Sequence, residues 1–275
     1  MNPRVSVVVP AYKNAGYLAQ TLDSILAQDY DDYELVVADH SSGDGTDELL
    51  LRYANHPRVR VLSPTPPGGG AKANWDRVSS EARGELLKLV CGDDLIAPAA
   101  LRRQVAALDA HPSAVLVACK RDLIDANGKV IIAARGLGRL DGLVRGRDAV
   151  RAAVIAGTNL FGEPGCVLFR RELLHADGWN NRHPYLIDQA SYTGVMLQGD
   201  MVALRESLAS FRINAGQWSV RLMHEQARQA IDFHNALAVE VPDLLSPMAL
   251  RVGNLKARMM AHARRLTYLW LGRRM

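Results

Sequence analysis

Cysteine is scarce in this sequence, with Cys91, Cys119 and Cys166 the only three among 275 residues. An odd number at wide spacing leaves no disulfide framework and no zinc-ligand pattern, as in proteins of a reducing compartment. Long hydrophobic runs are also missing: no stretch approaches the roughly 18 uncharged apolar residues that a membrane-crossing helix requires. The opening MNPRVSVVVPAYKN holds one short apolar run that stops at Pro10, so a secretory leader is not expected and a cytoplasmic location is. Internal repeats and low-complexity segments are absent. Acidic residues are absent from the last 25 positions, RVGNLKARMMAHARRLTYLWLGRRM, which carry seven basic ones. Without that tail the chain has 26 basic residues against 29 acidic, a balance of −3, so the net charge of +4 belongs to the C-terminus. Charge segregated in this way points to an anionic surface as partner, such as the inner face of a membrane, and not to nucleic acid.

What is present reads as a globular enzyme-sized body, 48 % hydrophobic and 23 % charged. Its first half alternates strand and helix patterns. VSVVVP at 5–10 is a continuous β-branched run, the mark of a strand buried on both faces. Residues 16–28 place Leu18, Leu22, Ile25 and Leu26 on one helical face. Further strands are expected at 33–39, 59–63, 85–91 and 114–119, with helices at 46–53, 74–82 and 100–110 between them. Such alternation with short loops predicts a mostly parallel sheet covered by helices. The middle is less regular: an Asn127–Gly128 turn predicts a hairpin, followed by a helix at 147–156 and a strand at 165–170. From Gln217 onward the pattern is helical, with Pro242 and Pro247 separating two helices, the second over 248–271.

Open α/β sheets bind ligands beyond the carboxyl ends of their strands. Here Tyr12 follows the first strand, Asp39 closes the second, and Asp93 and Asp94 follow the fourth. Each alone is equally a cap or turn residue, but three strand ends on one edge favour a ligand. In LKLVCGDDLIAP the two adjacent carboxylates stand at the mouth of an apolar run, which costs free energy unless something positive sits against them.

The segments VSVVVPAYKNAGYLAQTLDSILAQDYDDYELVVADHSSGDGT, GELLKLVCGDD, FGEPGCVLFRREL, LID at 186–188 and LASFRINAGQWS follow one another over residues 3–220. In that order they resemble glycosyltransferase family 2, inverting sugar transferases with the Rossmann-like GT-A fold. The resemblance implies that Pro10 and Tyr12 border a nucleotide base and that Asp39 accepts a hydrogen bond from its N3–H. A charged acceptor facing an imide N–H favours uracil or thymine, hence a UDP- or dTDP-sugar donor. The competing readings are Tyr12 packed on the following helix and Asp44, a second acid in that loop, as a helix cap.

The family pattern Asp-x-Asp-Asp stands here as Cys91-Gly92-Asp93-Asp94, so its first acid is lost. The resemblance implies that Asp93 binds a divalent cation, Mg²⁺ or Mn²⁺, bridging the donor diphosphate, and that Asp94 approaches the sugar. Cys91 is a poor ligand for such an ion and fits a packing role. PTPPGGGAKANW at 64–75 lacks the second half of a Walker A motif, yet its glycines would let backbone approach a ligand. Lys72 and Asn74 are candidate phosphate contacts there, with a plain flexible loop as the alternative. The family's Glu-Asp pair stands as Ile187-Asp188, leaving Asp188 as candidate catalytic base, or as a cap for a helix at 189–198. Glu163 and Pro164 would line the acceptor pocket. Arg212, Gln217 and Ser219 would reach the diphosphate, against readings of Arg212 as a surface ion pair and Ser219 as a cap.

The expected organisation is a nucleotide-sugar half at 1–119, an acceptor half at 120–220 and a C-terminal helical extension at 221–275 with a basic tail. The acceptor would be a glycan or lipid-linked glycan in bacterial surface polysaccharide synthesis. The tail would lie on an anionic membrane surface, dock on the body or form a homodimer. Two other classes compete: a catalytically impaired sugar-nucleotide binder, favoured by Cys91 and Ile187, and a nucleotidyltransferase, which would release pyrophosphate. A nicotinamide oxidoreductase is disfavoured because PAYKNAG stands where G-x-G-x-x-G should follow the first strand.

Overall fold

A computed structural model describes residues 2–213 and 225–271. Strands β1 (Val5–Ala11) and β2 (Tyr33–Asp39) are buried at every position, which their unbroken apolar runs require. Helix α1 (Leu18–Leu26) buries Leu18, Leu22 and Ile25 between them in sequence, and α2 (Thr46–Leu51) leads to the short β3 (Val59–Val61). Helix α3 (Gly70–Ser80) begins a full turn before the expected start at Asn74. Gly70 disfavours a helix locally, but burial of Asn74, Trp75 and Val78 draws it and Ala71–Ala73 into α3. Strands β4 (Leu86–Leu89) and β5 (Leu95–Ile96) bracket the CGDD turn, and α4 spans Ala100–Ala110.

The next strand, β6 (Ala114–Ile124), is longer than expected and turns through the Asn127–Gly128 hairpin into β7 (Val130–Arg135). There follow β8 (Gly142–Val144), α5 (Gly146–Ala156), a 3₁₀ turn at Pro164–Cys166, β9 (Val167–Arg170) and α6 (Ile187–Met196). The 13-residue β10 (Asp200–Arg212) has no counterpart in the sequence reading. Its register breaks between Leu204 and Ser207, where Arg205-Glu206 interrupts the apolar pattern. Two helices close the described chain, α7 (Gln226–Glu240) and α8 (Pro247–Leu271), with the break between them at Pro242 and Pro247 as expected. Gln217, Ser219, Arg273 and Arg274 lie outside the described residues.

The ten strands of the described residues form one sheet, ordered β3-β2-β1-β4-β9-β6-β10-β5, with β7 beside β6 and β8 beside β10. Pairing is parallel from β3 through β4 and between β6 and β10. Strand β9 enters antiparallel between β4 and β6 and joins the two parallel regions. This brings the turn at Pro164–Cys166 against β4 and β5, the two strands that bracket the CGDD turn. One apolar core runs from Val5 to Ala257, drawing on the body and on α8. Trp179 anchors it edge-on against Trp75 at 4.9 Å, Tyr192 at 5.8 Å and Phe169 at 6.0 Å, tying α3, α6 and β9 together.

Candidate active site

The carboxyl ends of β1 and β2 carry two loops that are laced together. Lys13 N–H donates to Ser42 Oγ at 2.8 Å, Asn14 N–H to Thr46 Oγ1 at 3.3 Å and Ala15 N–H to Asp44 Oδ2 at 3.3 Å. Both loops hold a non-glycine residue in the left-handed region, Lys13 at φ 53° and Ser41 at φ 50°, a conformation retained only where the surroundings enforce it. Asp44 also accepts from Thr46 N–H at 3.2 Å, but the cap of α2 is Gly45, so Asp44 stands one residue before the place a cap takes. Asp39 is buried, with Oδ2 accepting Ser42 N–H at 2.9 Å and Oδ1 accepting the Ser42 hydroxyl. Tyr12 is 48 % exposed, with the His40 ring 5.7 Å away and Lys13 Nζ 5.4 Å from its centroid. Val8 gives its carbonyl to Val90 on the β4 side. By alternation Pro10 faces the same side, two residues past the last β1–β4 pair, so its missing N–H costs no ladder bond.

Lys72 and Asn74 are turned to the protein. Lys72 Nζ binds the Asp76 carboxylate and the Asp177 carbonyl. Asn74 is buried; its amide donates to the carbonyls of Ala11 (3.0 Å) and Ala38 (3.2 Å), and its oxygen accepts from Thr65 Oγ1 at 2.6 Å. It fastens the ends of β1 and β2 in place.

The CGDD turn packs directly against the β1 loop. A Cβ on Gly92 would stand 2.6 Å from Asn14 Oδ1, so a larger residue there would push the Asn14 side chain aside. Asp94 is buried and its Oδ1 accepts Arg212 N–H at 3.0 Å; burial, and next the Asp93 charge, push its carboxyl well above the usual range. Arg212 is fully buried, a difference from the surface ion pair considered for it. Its guanidinium donates to the carbonyls of Asp93 (2.8 Å), Ala126 (3.0 Å) and Asp125 (3.2 Å) and to Gln20 Oε1 (2.9 Å), and stacks 4.7 Å over Tyr17. It clamps the CGDD backbone to the hairpin turn.

Asp188 stands in the first turn of α6, half-buried. Its Oδ1 accepts Gln189 N–H at 2.7 Å and its Oδ2 accepts the Asn159 amide at 3.0 Å. Burial pushes its carboxyl up to about 7; the Gln189 N–H opposes the rise, the Glu163 charge adds to it and Arg121 reduces it. Glu163 is held by Arg121, whose NH2 group donates to its Oε1 at 2.9 Å. Pro164 is buried at the start of the 3₁₀ turn. Ile187, where the family pattern has an acid, is buried in the core. Burial, followed by the charges of Asp94, Asp93, Asp188 and Glu163, pushes the Cys91 thiol well up. The thiol therefore stays protonated. Arg121 and Asn159 escaped the sequence reading. Arg121 follows an apolar strand run, and an arginine in that place has no distinctive spacing; Asn159 belongs to no motif.

Residues 6–178 match the model of glycosyl transferase family 2. The chain belongs to that family. It is 29 % identical over 258 residues to MT1568 of Mycobacterium tuberculosis (strain CDC 1551 / Oshkosh), an uncharacterized protein, covering 90 % of this chain and 79 % of that one. Several further curated relatives are matched over 40 % of their own length or less. The crystal structure of S. aureus TarS 1-349 in complex with UDP-GlcNAc has a TM-score of 0.69 at 21 % identity, over 87 % of this chain and 66 % of that one. The mannosyltransferase PcManGT from Pyrobaculum calidifontis, in complex with GDP-Man and Mn²⁺, has a TM-score of 0.61 at 22 % identity, over 98 % of this chain and 81 % of that one. At these identities the likeness establishes the fold.

For this family 2 member, the donor set for a cation is small. Among the described residues no group of three His, Cys, Asp or Glu side chains could hold a metal ion by itself. Asp94 is turned to the Arg212 backbone and Cys91 is protonated; Asp93 is half-buried, and a carboxylate has the oxygen chemistry such an ion takes. One carboxylate completed by phosphate oxygens and water is a usual way to hold Mg²⁺. The residues fit an ion that binds together with a diphosphate.

Proposed function

We propose that this chain is an inverting glycosyltransferase that moves a sugar from a UDP- or dTDP-sugar to an acceptor hydroxyl of a glycan in bacterial surface polysaccharide synthesis, at the cytoplasmic side of the cell. The observation that carries this reading is a half-buried carboxyl, Asp188, held by Asn159 in the first turn of α6, with its pKa pushed up to about 7. A general base works best when its pKa lies near the working pH.

In this reading Asp39 accepts the imide N–H of the base and Tyr12 offers its exposed face for stacking. Asp93 would hold Mg²⁺ or Mn²⁺, which supplies charge neutralisation for the departing nucleoside diphosphate. Asp188 takes the acceptor hydroxyl proton while the acceptor oxygen bonds to the anomeric carbon and the bond from that carbon to the diphosphate oxygen breaks. Displacement from the opposite face inverts the configuration. Glu163, held by Arg121, would line the acceptor pocket. Pro164 shapes the turn that presents Glu163, and Asp94 and Arg212 hold the backbone that presents Asp93.

The test is a donor panel of UDP-, dTDP- and GDP-sugars with Mn²⁺ or EDTA, read by thermal shift and by the leaving product. Stabilisation by UDP- or dTDP-sugars that needs Mn²⁺, with release of a nucleoside diphosphate, is expected. Release of pyrophosphate would establish a nucleotidyltransferase instead. Stabilisation by GDP-sugars alone would overturn the role given to Asp39, and binding without any turnover would make the chain a sugar-nucleotide binder.

A further inference from the structure

Helix α8 has two unlike faces. The inner face is built from small residues that let it approach the body closely. A Cβ on Gly253 would stand 2.5 Å from the Val154 carbonyl oxygen, and one on Gly157 would stand 2.3 Å from Ala257 N. Asn254 reinforces the contact, with Oδ1 3.0 Å from His234 Nδ1 and its amide donating to Asn235 Oδ1 at 3.1 Å. Docking on the body and presenting a free face are therefore not alternatives for this helix.

The opposite face carries Met248, Leu255 and Met259, which are 67 %, 60 % and 61 % exposed. At spacings of seven and four they form one stripe along the helix. The exposed Arg251, Lys256 and Arg258 border it. From Pro247 to the C-terminus the chain has no acidic residue. An apolar stripe left in water is costly and marks an interaction surface.

We propose that this face of α8 docks on the surface of an anionic lipid bilayer. Charge decides between occupants. A second copy would bring arginine against arginine with no acid on either helix to pair them, whereas anionic headgroups complement the basic border and the interface accepts the apolar stripe. The helix lies on the membrane without crossing it, since no helix among the described residues is long and apolar enough to span. The placement also bears on the acceptor. Arg264 donates to Thr158 Oγ1 at 3.4 Å and lies 5.7 Å from the Tyr185 ring. Thr158 precedes Asn159, and Tyr185 lies in the 3₁₀ turn Pro184–Leu186 that leads into α6 and Asp188. Resting on the transferase reading above, a membrane-docked α8 holds the segments that carry Asn159 and Asp188 one helix thickness from the lipid surface, which fits a lipid-linked acceptor.

The test uses the full chain and vesicles of phosphatidylcholine alone or with 30 % phosphatidylglycerol, read by co-sedimentation, with no sugar donor present. Binding at least tenfold stronger to the anionic vesicles is expected, and most of it should be lost in 0.5 M NaCl. L255E/M259E should reduce binding at least tenfold with unchanged thermal stability, because both side chains are exposed. R251Q/R258Q should reduce the preference for anionic lipid. Equal retention on both vesicles, no retention, or a dimer in light scattering that L255E/M259E dissolves would each overturn the proposal. None of these results depends on turnover, so the transferase reading stands or falls separately.

Discussion

The side-chain amide of Asn159 donates to Asp188 Oδ2 at 3.0 Å and to the Gly162 carbonyl at 2.8 Å. One side chain thereby fixes the carboxyl of α6 and the loop that carries Glu163. Its own oxygen accepts Phe161 N–H at 2.9 Å, so its orientation is set. Asn159→Ala is expected to lower kcat by about 10- to 100-fold, the cost of a misplaced base, with donor KM little changed. Steady-state kinetics with the donor found by the panel checks this. A matching rise in KM would show instead that Asn159 holds the donor.

Asp188 makes activity depend on pH. Its carboxyl titrates at about 7, so turnover should rise with pH up to that value and level off above it. Asp188→Asn should reduce turnover by about 100-fold or more. The folded pKa lies above the unfolded value of 3.8. The stability contributed by the protonated group is thus complete at acid pH and lost as pH rises toward 7. Asp188→Asn should consequently melt higher than the parent at pH 8 and equally at pH 4. An equal or lower melting temperature at pH 8 would contradict the strained carboxyl.

Arg121 lowers the proton affinity of Asp188 while Glu163 raises it. Arg121→Met should move the rise in activity to higher pH, and the double variant with Glu163→Gln should bring it back. The single variant should also be less stable, by up to about 3 kcal/mol given the partial exposure of the pair, because Glu163 is left uncompensated. An unshifted pH profile in both variants would remove the ion pair from the control of the base.

Arg212 and Lys72 are two basic residues of unlike consequence. Arg212→Lys loses the fork that spans three carbonyls and Gln20, and should cost about 3 kcal/mol or more in urea unfolding and weaken donor binding. Lys72→Ala breaks a partly exposed i,i+4 pair worth about 0.5 kcal/mol and should leave donor binding nearly unchanged. A large loss of donor affinity in Lys72→Ala would mean that its side chain leaves Asp76 when donor binds.

Trp179→Ala should destabilise the fold by about 3–5 kcal/mol, since the ring is fully buried among Trp75, Phe169 and Tyr192. Chemical denaturation measures this directly.

Continuous apolar runs and strand-end punctuation were sufficient to read β1, β2 and the parallel half of the sheet, because burial on both faces leaves a chain no other use for such runs. The ordered motifs were likewise legible as the family, and CGDD as the place where acid meets strand end. The rest was decided in three dimensions. Strand β10 was hidden because its register break takes a charged pair into the middle of the strand. Glu163 and Asp188 act on each other through their charges although far apart in sequence; β9, antiparallel between β4 and β6, sets where the loop before it lies, and no local periodicity records which strand will be a neighbour. Arg212, Lys72 and Asn74 have the chemistry of phosphate ligands in sequence, yet in the fold each turns toward buried or nearby protein oxygens. A side chain's partners are fixed by packing between distant segments, and that packing is where the tertiary structure spoke alone.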